Sequence, residues 1–286
     1  MTVYCGRPFS EQELLTIRQW IERDPGMKRA ELSRRICEAF SWKRPNGHLK
    51  DMSCRVALLR MQTDGLIQLP PSQMRPGRRY AHFPATAATD PQTPVIAPVH
   101  DLPPPVLRPI RNRRESRLWN EYIQRYHYLG YTPLSGSQIR YNVFVGNQLV
   151  AMLSFGASAW KLAARERFIG WQEAERSRNL QLVVNNARFL ILPWIQSKGL
   201  ASRILAMAAR QLPADWQHNY GFSPVLLETF VETARHRGTC YKAANWSNVG
   251  QTAGRGKKCP VDRPIIPIKD IWLYPLRRDF RKILRA

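Results

Sequence analysis

Tyr241 is the residue in this sequence best suited to covalent or acid–base chemistry. A tyrosine phenol can attack a phosphodiester as a nucleophile, or it can act as a general acid in acyl transfer. Attack on a phosphodiester needs cations around the scissile phosphate. Residues that could supply them, near Tyr241 in the sequence or on the adjoining strand, are Arg188, Arg235, His236, Arg237 and Lys242. The alternative is a core aromatic residue whose hydroxyl caps a neighbouring strand.

Two further candidates are a carboxylate and a histidine. Glu228 lies within an apolar segment, where an ionised carboxylate is costly unless it is paired. It is either a functional base or metal ligand, or the buried partner of an arginine such as Arg188. His127 stands between two tyrosines and is either a base or phosphate donor, or a structural histidine. The predicted catalytic set is Tyr241, Glu228, Arg188, His127 and Asn245.

The sequence contains no pattern that predicts a metal site. A metal-dependent nuclease needs several converging acidic ligands, and residues 110–286 hold only 11 carboxylates, of which Glu228, Glu232 and Asp262 are attractive. We therefore assign no metal ligands, although Mg²⁺ is compatible with the chemistry above. The five cysteines contain no C-x-x-C pair and are predicted to be reduced thiols rather than disulfides or zinc ligands.

The charge balance points to a polyanionic partner. The 286 residues carry 44 Lys and Arg against 21 Asp and Glu, a net charge of +23. This charge is spread over the chain, because residues 1–80 carry +7 and residues 110–286 carry +17. Two basic parts predict a nucleic acid, here DNA, that is held at two places. The alternative is a basic surface that serves solubility alone.

Proline divides the sequence into three parts. Eleven of the 22 prolines fall between Pro70 and Pro109, and this composition favours an extended linker. The predicted organisation is a domain at residues 1–70, a proline-rich linker at residues 71–109 and a second domain at residues 110–286. No apolar run is long enough to span a membrane and no signal stretch is evident, so we expect a soluble, cytoplasmic protein.

The first domain reads as three helices followed by a strand. Ser10 and Glu13 form a capping-box pattern before the first helix, and further helices are expected from Lys28 to Ala39 and from Asp51 to Thr63, the last burying Met52, Val56 and Leu59. Leu66–Leu69 reads as a strand, so the order is that of a winged helix-turn-helix, with the third helix in the major groove. The alternative is a protein-interaction module. The predicted DNA contacts of the chain are Arg29, Arg34, Arg35, Lys50, Ser53, Arg55, Arg60, Arg78, Arg79, Arg255, Lys257 and Lys258.

The second domain alternates helices and strands. A helix from Glu115 to Tyr128 precedes a hairpin of residues 140–145 and 148–155. Leu180–Leu192 reads as two strands or one bulged strand, and residues 225–231 as a buried strand after an apolar helix. The predicted class is α/β (α+β), with a mixed sheet and flanking helices.

This order resembles the Gcn5-related N-acetyltransferase fold. In that fold the turn after the fourth strand has the form Gln/Arg-x-x-Gly-x-Gly/Ala, which Gln196, Gly199 and Ala201 match here. The resemblance implies that backbone N–H groups of this turn bind the pyrophosphate of acetyl-coenzyme A. The segment Gly238–Trp246 resembles the helix after the fifth strand, and the resemblance gives its tyrosine, Tyr241, the role of general acid.

A closer resemblance covers nearly the whole chain. The segments Tyr126–Gly130, Asn185–Trp194, Leu226–Val231, Gly238–Trp246 and Gly254–Lys257 resemble the DruA family of the Druantia anti-phage system and its relatives near insertion elements. The resemblance implies DNA-related work in phage defence or transposition, with other defence or mobile-element proteins as partners, and it transfers no catalytic residues.

Three hypotheses follow for the function. The first is a DNA-binding and DNA-processing protein that cleaves or transfers strands with Tyr241 as nucleophile, to which a homodimer would be suited. The second is an acetyltransferase that uses acetyl-coenzyme A. The third is a non-catalytic adaptor that senses DNA.

Overall fold

The computed structural model describes residues 2–44, 47–72, 83–254 and 266–286. The chain divides into two compact units, Met1–Arg79 with His218–Phe222, and Tyr80–Gln217 with Ser223–Ala286. None of the helices in the described ranges is long and apolar enough to cross a bilayer. The four cysteines in those ranges are free, as predicted.

The first unit consists of a hairpin and three helices. Its hairpin pairs β1 (Thr2–Tyr4) with β2 (Arg7–Phe9), and its helices are α1 (Glu11–Arg23), α2 (Arg29–Ala39) and α3 (Asp51–Thr63). The predicted capping box is present, because the backbone N–H of Glu13 donates to Ser10 Oγ and the Glu13 carboxylate accepts from the backbone N–H of Ser10. The three predicted helices are therefore confirmed, with bounds within one residue.

Two details of the first unit differ from the prediction. Leu66–Leu69 forms no strand, although Ile67 and Leu69 are buried, so the winged helix-turn-helix is not confirmed. On α3 the predicted buried stripe is wrong, because Met52, Val56 and Leu59 are exposed. Both faces of this helix carry apolar side chains, which left the buried face ambiguous in the sequence. The buried face is Cys54, Ala57, Leu58 and Met61.

The proline-rich segment belongs in large part to the second unit. It forms a 3₁₀ turn (Ala87–Thr89), a short strand β3 (Val95–Ile96) and the edge strand β4 (Pro105–Pro109). An edge strand tolerates proline because one of its sides needs no N–H donors. The prolines of Pro105–Pro109 predicted a linker from the sequence, whereas in the structure they form a strand at the edge of a sheet.

A seven-stranded mixed sheet organises the second unit. After β4 the elements in chain order are α4 (Arg113–Tyr126), β5 (Ile139–Val145), β6 (Gln148–Ala157), α5 (Ala163–Ile169), α6 (Glu173–Asn179), β7 (Val183–Ile191), β8 (Ile195–Gln196), α7 (Leu200–Tyr220), β9 (Leu226–Glu232), α8 (Thr239–Ala243), β10 (Ser247–Gln251), β11 (Lys269–Pro275) and α9 (Phe280–Arg285). The spatial order of the strands in the sheet is β10-β11-β9-β7-β6-β5-β4, and a separate parallel pair joins β3 to β8. The predicted hairpin is β5 with β6, and the insertion between β6 and β7 forms the short helices α5 and α6.

The strands β7 and β9 are the parallel neighbours that position the site. Their pairing covers only Val183–Asn185 with Leu226–Glu228, and the register ends there. Opposite β6, β7 carries a bulge at Ala187, because Arg188 faces Ser154 while Asn186 faces Phe155. The predicted mixed α/β sheet with flanking helices is confirmed, and the segment with two predicted forms is one bulged strand.

Candidate functional site

A cleft of about 700 Å³ opens where β7 and β9 stop pairing. Its walls come from the segment after α4, the second half of β7, the second half of β9 and the segment leading into α8, and the first turn of α7 reaches it at Ala201. None of the described lining residues is acidic. The lining consists of Tyr126, His127, Tyr128, Leu129, Asn186, Ala187, Phe189, Leu190, Ile191, Ala201, Thr229, Phe230, Val231 and residues 235–241.

Tyr241 lies in this cleft on α8, which begins at a glycine that the packing requires. Gly238 has φ +66°, and a Cβ added there would lie 2.7 Å from a ring carbon of Trp272. The Tyr241 hydroxyl donates to Asn186 Oδ1 at 2.9 Å. Burial raises the pKa of Tyr241 above its ordinary value, so the phenol keeps its proton at neutral pH.

The bulge in β7 and the end of its pairing with β9 determine the hydrogen bonds of Asn186. Asn186 Nδ2 donates to the backbone oxygens of Ser154 and Arg188, each at 3.1 Å, which leaves Oδ1 as the acceptor for Tyr241. Beyond the end of strand pairing, Thr229 Oγ1 donates to the backbone oxygen of Asn186 at 3.0 Å. A buried side chain and a buried backbone group are thus satisfied together.

Rings and guanidinium groups cluster at the same cleft. The His127 and Tyr128 rings stack with centroids 4.9 Å apart, Tyr128 lies 5.4 Å from the His236 ring, and the Arg235 guanidinium lies 5.3 Å from the Tyr128 centroid. We call His127, Tyr128 and His236 the aromatic cluster. Burial, with the nearby charges of Arg188 and His236, lowers the pKa of His127 to about 4. His127 is therefore neutral at pH 7, and its Nδ1 accepts the backbone N–H of Leu129 at 3.2 Å, which leaves Nε2–H as a donor.

Glu228 lies beside the cleft as the buried partner of an arginine. Its carboxylate pairs with Arg165 Nη1 at 2.7 Å and accepts the backbone N–H of Ala159 at 2.8 Å. Burial raises the pKa of Glu228, and the ion pair with Arg165 limits that rise. Glu228 is thus the buried partner of an arginine, but the prediction that this arginine is Arg188 is wrong. Arg188 donates instead to the backbone oxygens of Gly130 and Ala187, at 3.2 and 2.8 Å.

The other predicted site residues divide between the cleft and its surroundings. Asn245 has φ +62°, is exposed and is not among the lining residues. Of the three residues predicted to bind coenzyme A, Gln196, Gly199 and Ala201, only Ala201 lines the cleft. The backbone N–H groups of Val95 and Val99 donate to the oxygens of Trp194 and Lys198, at 3.0 and 3.2 Å.

Val99 also determines whether the turn can accept a pyrophosphate. A Cβ added to Gly199, whose φ is +87°, would lie 3.0 Å from Val99 Cγ1. The space that glycine would leave open for a phosphate is therefore filled by the chain's own proline-rich segment. At Gly199 the residues do not fit the close approach of acetyl-coenzyme A.

The predicted DNA contacts of the first unit have different surroundings. Arg34 and Arg60 are exposed, whereas Arg29 Nε donates to the Pro70 oxygen at 2.7 Å and Arg35 lies 4.5 Å over the Trp20 ring. Arg55 pairs with Asp51, Lys50 is the N-cap of α3, and Ser53 is half-buried. Arg78, Arg79, Arg255, Lys257 and Lys258 lie outside the described residues.

Sequence reasoning missed several of the residues that hold the site. Thr229 and Arg165 carry no motif, and their roles depend on which strands become neighbours. The repeated aromatics around His127 were a usable signal for the cluster, because alternating rings and cations are typical of ligand surfaces. Over the described part of the chain no group of three or more His, Cys, Asp or Glu side chains is arranged to hold a metal ion.

Solved structures similar to this chain include several N-acetyltransferases, all at low identity. The aminoglycoside acetyltransferase AAC(6′)-Ib in complex with coenzyme A is 14% identical over 63% of this chain and 98% of that one, with a TM-score of 0.40. A chimera of spermidine N-acetyltransferase SpeG from Vibrio cholerae and hSSAT is 12% identical over 60% and 95%, with a TM-score of 0.39. The ribosomal-protein-S18-alanine N-acetyltransferase from Escherichia coli is 9% identical over 60% and 94%, also with a TM-score of 0.39.

No curated protein matches this sequence. A family described as Druantia protein DruA matches residues 62–259, which include the bulged strand and every described residue that lines the cleft, Tyr241 among them. That match spans more than half of the chain and agrees with the segments in which the sequence resembles the family. The chain therefore belongs to the DruA family.

Proposed function

We propose that this chain is a DNA-processing protein whose cleft binds a phosphodiester and whose Tyr241 attacks it. One observation carries the proposal: Tyr241 lines a cleft that Arg235 and Arg237 also line and whose described lining has no carboxylate. Its hydroxyl is held at this wall by the hydrogen bond to Asn186. Such a cleft favours an anionic ligand. The net charge of +23 favours DNA as the molecule that carries it.

The chemistry of the proposed step is a transfer of a phosphoryl group to tyrosine. The Tyr241 oxygen forms a bond to phosphorus, the bond from phosphorus to one ester oxygen breaks, and the departing strand leaves as a hydroxyl after taking up a proton. The proton of Tyr241 passes to solvent. Arg235, Arg237 and the Nε2–H of His127 would stabilise the charge that develops on the phosphate oxygens.

The test is a denaturing gel of the purified protein with labelled single- and double-stranded DNA, with and without Mg²⁺. We expect a covalent protein–DNA adduct that Tyr241→Phe removes. Tyr141→Phe is the matched control, because Tyr141 is also buried and its hydroxyl donates to Asp215 at 2.7 Å, outside the cleft lining. DNA binding without adduct or cleavage on any substrate would refute strand transfer and favour the non-catalytic adaptor.

Acyl transfer is the second candidate, and one observation favours it. Burial keeps the proton on Tyr241, which is the state that a general acid needs. Against it, Val99 fills the space next to Gly199. Calorimetric titration with coenzyme A tests this candidate, with Val99→Ala as the variant that opens the turn. Binding to the wild-type protein would support it, and no binding to either protein would exclude it.

A further inference from the structure

The mouth of the cleft presents an aromatic surface that the proposed phosphoryl transfer does not use. Tyr128 is 39% exposed and His236 is exposed, so two members of the aromatic cluster face solvent. The Tyr128 ring is held by the stacked His127 ring and by the Arg235 guanidinium, and the His236 ring lies 5.4 Å from it. Exposed rings held in place are stacking platforms for nucleobases, and an arginine plane serves the same purpose.

Positive charge lies beside this surface. Arg235 and Arg237 flank His236 and line the cleft. The Glu232 carboxylate pairs with Arg235 Nε at 3.0 Å, which offsets the charge of Arg235. The Nη groups of Arg235 remain as hydrogen-bond donors, and Arg237 supplies the positive charge. Aromatic rings together with cations match the two parts of a nucleotide, its base and its phosphate.

The size of the cleft favours a single-stranded over a double-stranded nucleic acid. Its volume of about 700 Å³ lies within the range of pockets that enclose small ligands, which is enough for a nucleotide but not for a duplex. A base inside a duplex would have to leave the helix to reach it, whereas an unpaired base could enter directly.

We propose that the cleft takes an unpaired nucleotide of single-stranded DNA, with the base stacked on the aromatic cluster and the adjoining phosphate beside Arg235 and Arg237. This inference rests on the proposed function and specifies its substrate. The phosphate would then lie in the cleft that Tyr241 lines.

The test compares three fluorescent probes by anisotropy with the full chain: oligothymidine, an abasic strand with the same number of phosphates, and a duplex of the same length. We expect oligothymidine to bind about five- to a hundredfold more tightly than the abasic strand. Tyr128→Ala should remove this difference and Tyr128→Phe should retain it. Tyr131→Ala is the control, because Tyr131 lies on the same loop but outside the cleft lining.

His236→Ala is the second variant, since an exposed ring can be removed with little effect on folding. It should weaken oligothymidine binding and leave abasic binding unchanged. Equal affinity of the wild-type protein for oligothymidine and the abasic strand would overturn the inference, as would unchanged binding in both variants. If a Tyr241-dependent adduct still formed, the proposed function would stand without this substrate. If none of the three probes bound, the proposed function itself would fail.

Discussion

At the scale of single residues, the protonation state of the Tyr241 hydroxyl bears directly on the chemistry proposed for the cleft. Its donor bond to Asn186 and its burial both favour the protonated phenol. A phenol with a raised pKa is a weak nucleophile at neutral pH, but its anion is strongly nucleophilic once formed. The protein therefore keeps the group unreactive until a ligand or a rise in pH removes the proton.

This state predicts the pH dependence of adduct formation. Because the pKa of Tyr241 lies above its ordinary value, the fraction of phenolate rises roughly tenfold per pH unit throughout the neutral to mildly alkaline range, with no plateau. Single-turnover rates on labelled DNA should rise with the same slope. A rate of adduct formation that is independent of pH over this range would contradict attack by a Tyr241 phenolate that forms before the reaction.

The buried ion pair of Glu228 predicts a loss of stability without a loss of site chemistry. Arg165→Met leaves a buried carboxylate unpaired and should lower the free energy of unfolding by about 3–5 kcal/mol. Urea denaturation measures this loss. Arg277→Met is the control: its partner Asp279 and the arginine itself are exposed, and no measurable loss is expected. A loss as small as the control's would mean that the Glu228–Arg165 pair contributes little.

At the scale of elements, the short helix α8 depends on the sheet that it packs against. Five residues cannot form a stable helix alone, so its position comes from tertiary contacts. Gly238 permits the left-handed start of the helix and the close approach of Trp272. The position of Tyr241 therefore depends on a residue that carries no functional group.

This dependence predicts a large effect of a small substitution. Gly238→Ala adds a strained φ and a clash with Trp272, which should cost about 2–4 kcal/mol of unfolding free energy. Gly146→Ala is the matched control, because Gly146 also has positive φ but has open space around its Cβ position, and it should cost about 1–2 kcal/mol. Equal losses in urea denaturation would show that the Trp272 contact is easily relieved.

At the scale of the whole molecule, the excess of positive charge dominates the expected behaviour. A net charge of +23 attracts a polyanion, and a bound DNA releases counterions when its phosphates are neutralised. Ion pairs reduce the local positive charge at some positions, for example where Arg55 pairs with Asp51. Other arginines, such as Arg34 and Arg60, are exposed to solvent. The exposed arginines should therefore dominate phosphate contact in the first unit.

This predicts the salt dependence of DNA binding. The affinity for DNA should fall steeply as the salt concentration rises. In the double variant Arg34→Ala, Arg60→Ala the slope of log affinity against log salt concentration should become shallower by about 2, because each lost phosphate contact lowers the magnitude of that slope by about 1. Anisotropy measured over a salt series tests this expectation. An unchanged slope would place the phosphate contacts elsewhere in the chain.

The sequence by itself determined the local elements and the class of the fold. Capping residues, turn glycines and the two periodicities depend on near neighbours only, so the three helices of the first unit and the hairpin of the second could be predicted. The bulged strand was one of two forms that the sequence left open. The family was also readable from the sequence, because its segments are contiguous. The candidate Tyr241 followed from its residue type and its charged surroundings.

Only the tertiary structure decided which residues meet. Glu228 pairs with Arg165 rather than Arg188, because β9 packs against the insertion that follows β6. The face of α3 that is buried, the strand formed by Pro105–Pro109 and the approach of Val99 to Gly199 also depend on neighbours far away in the chain. The cleft itself arises where two parallel strands stop pairing, and spacing along one chain does not encode that separation.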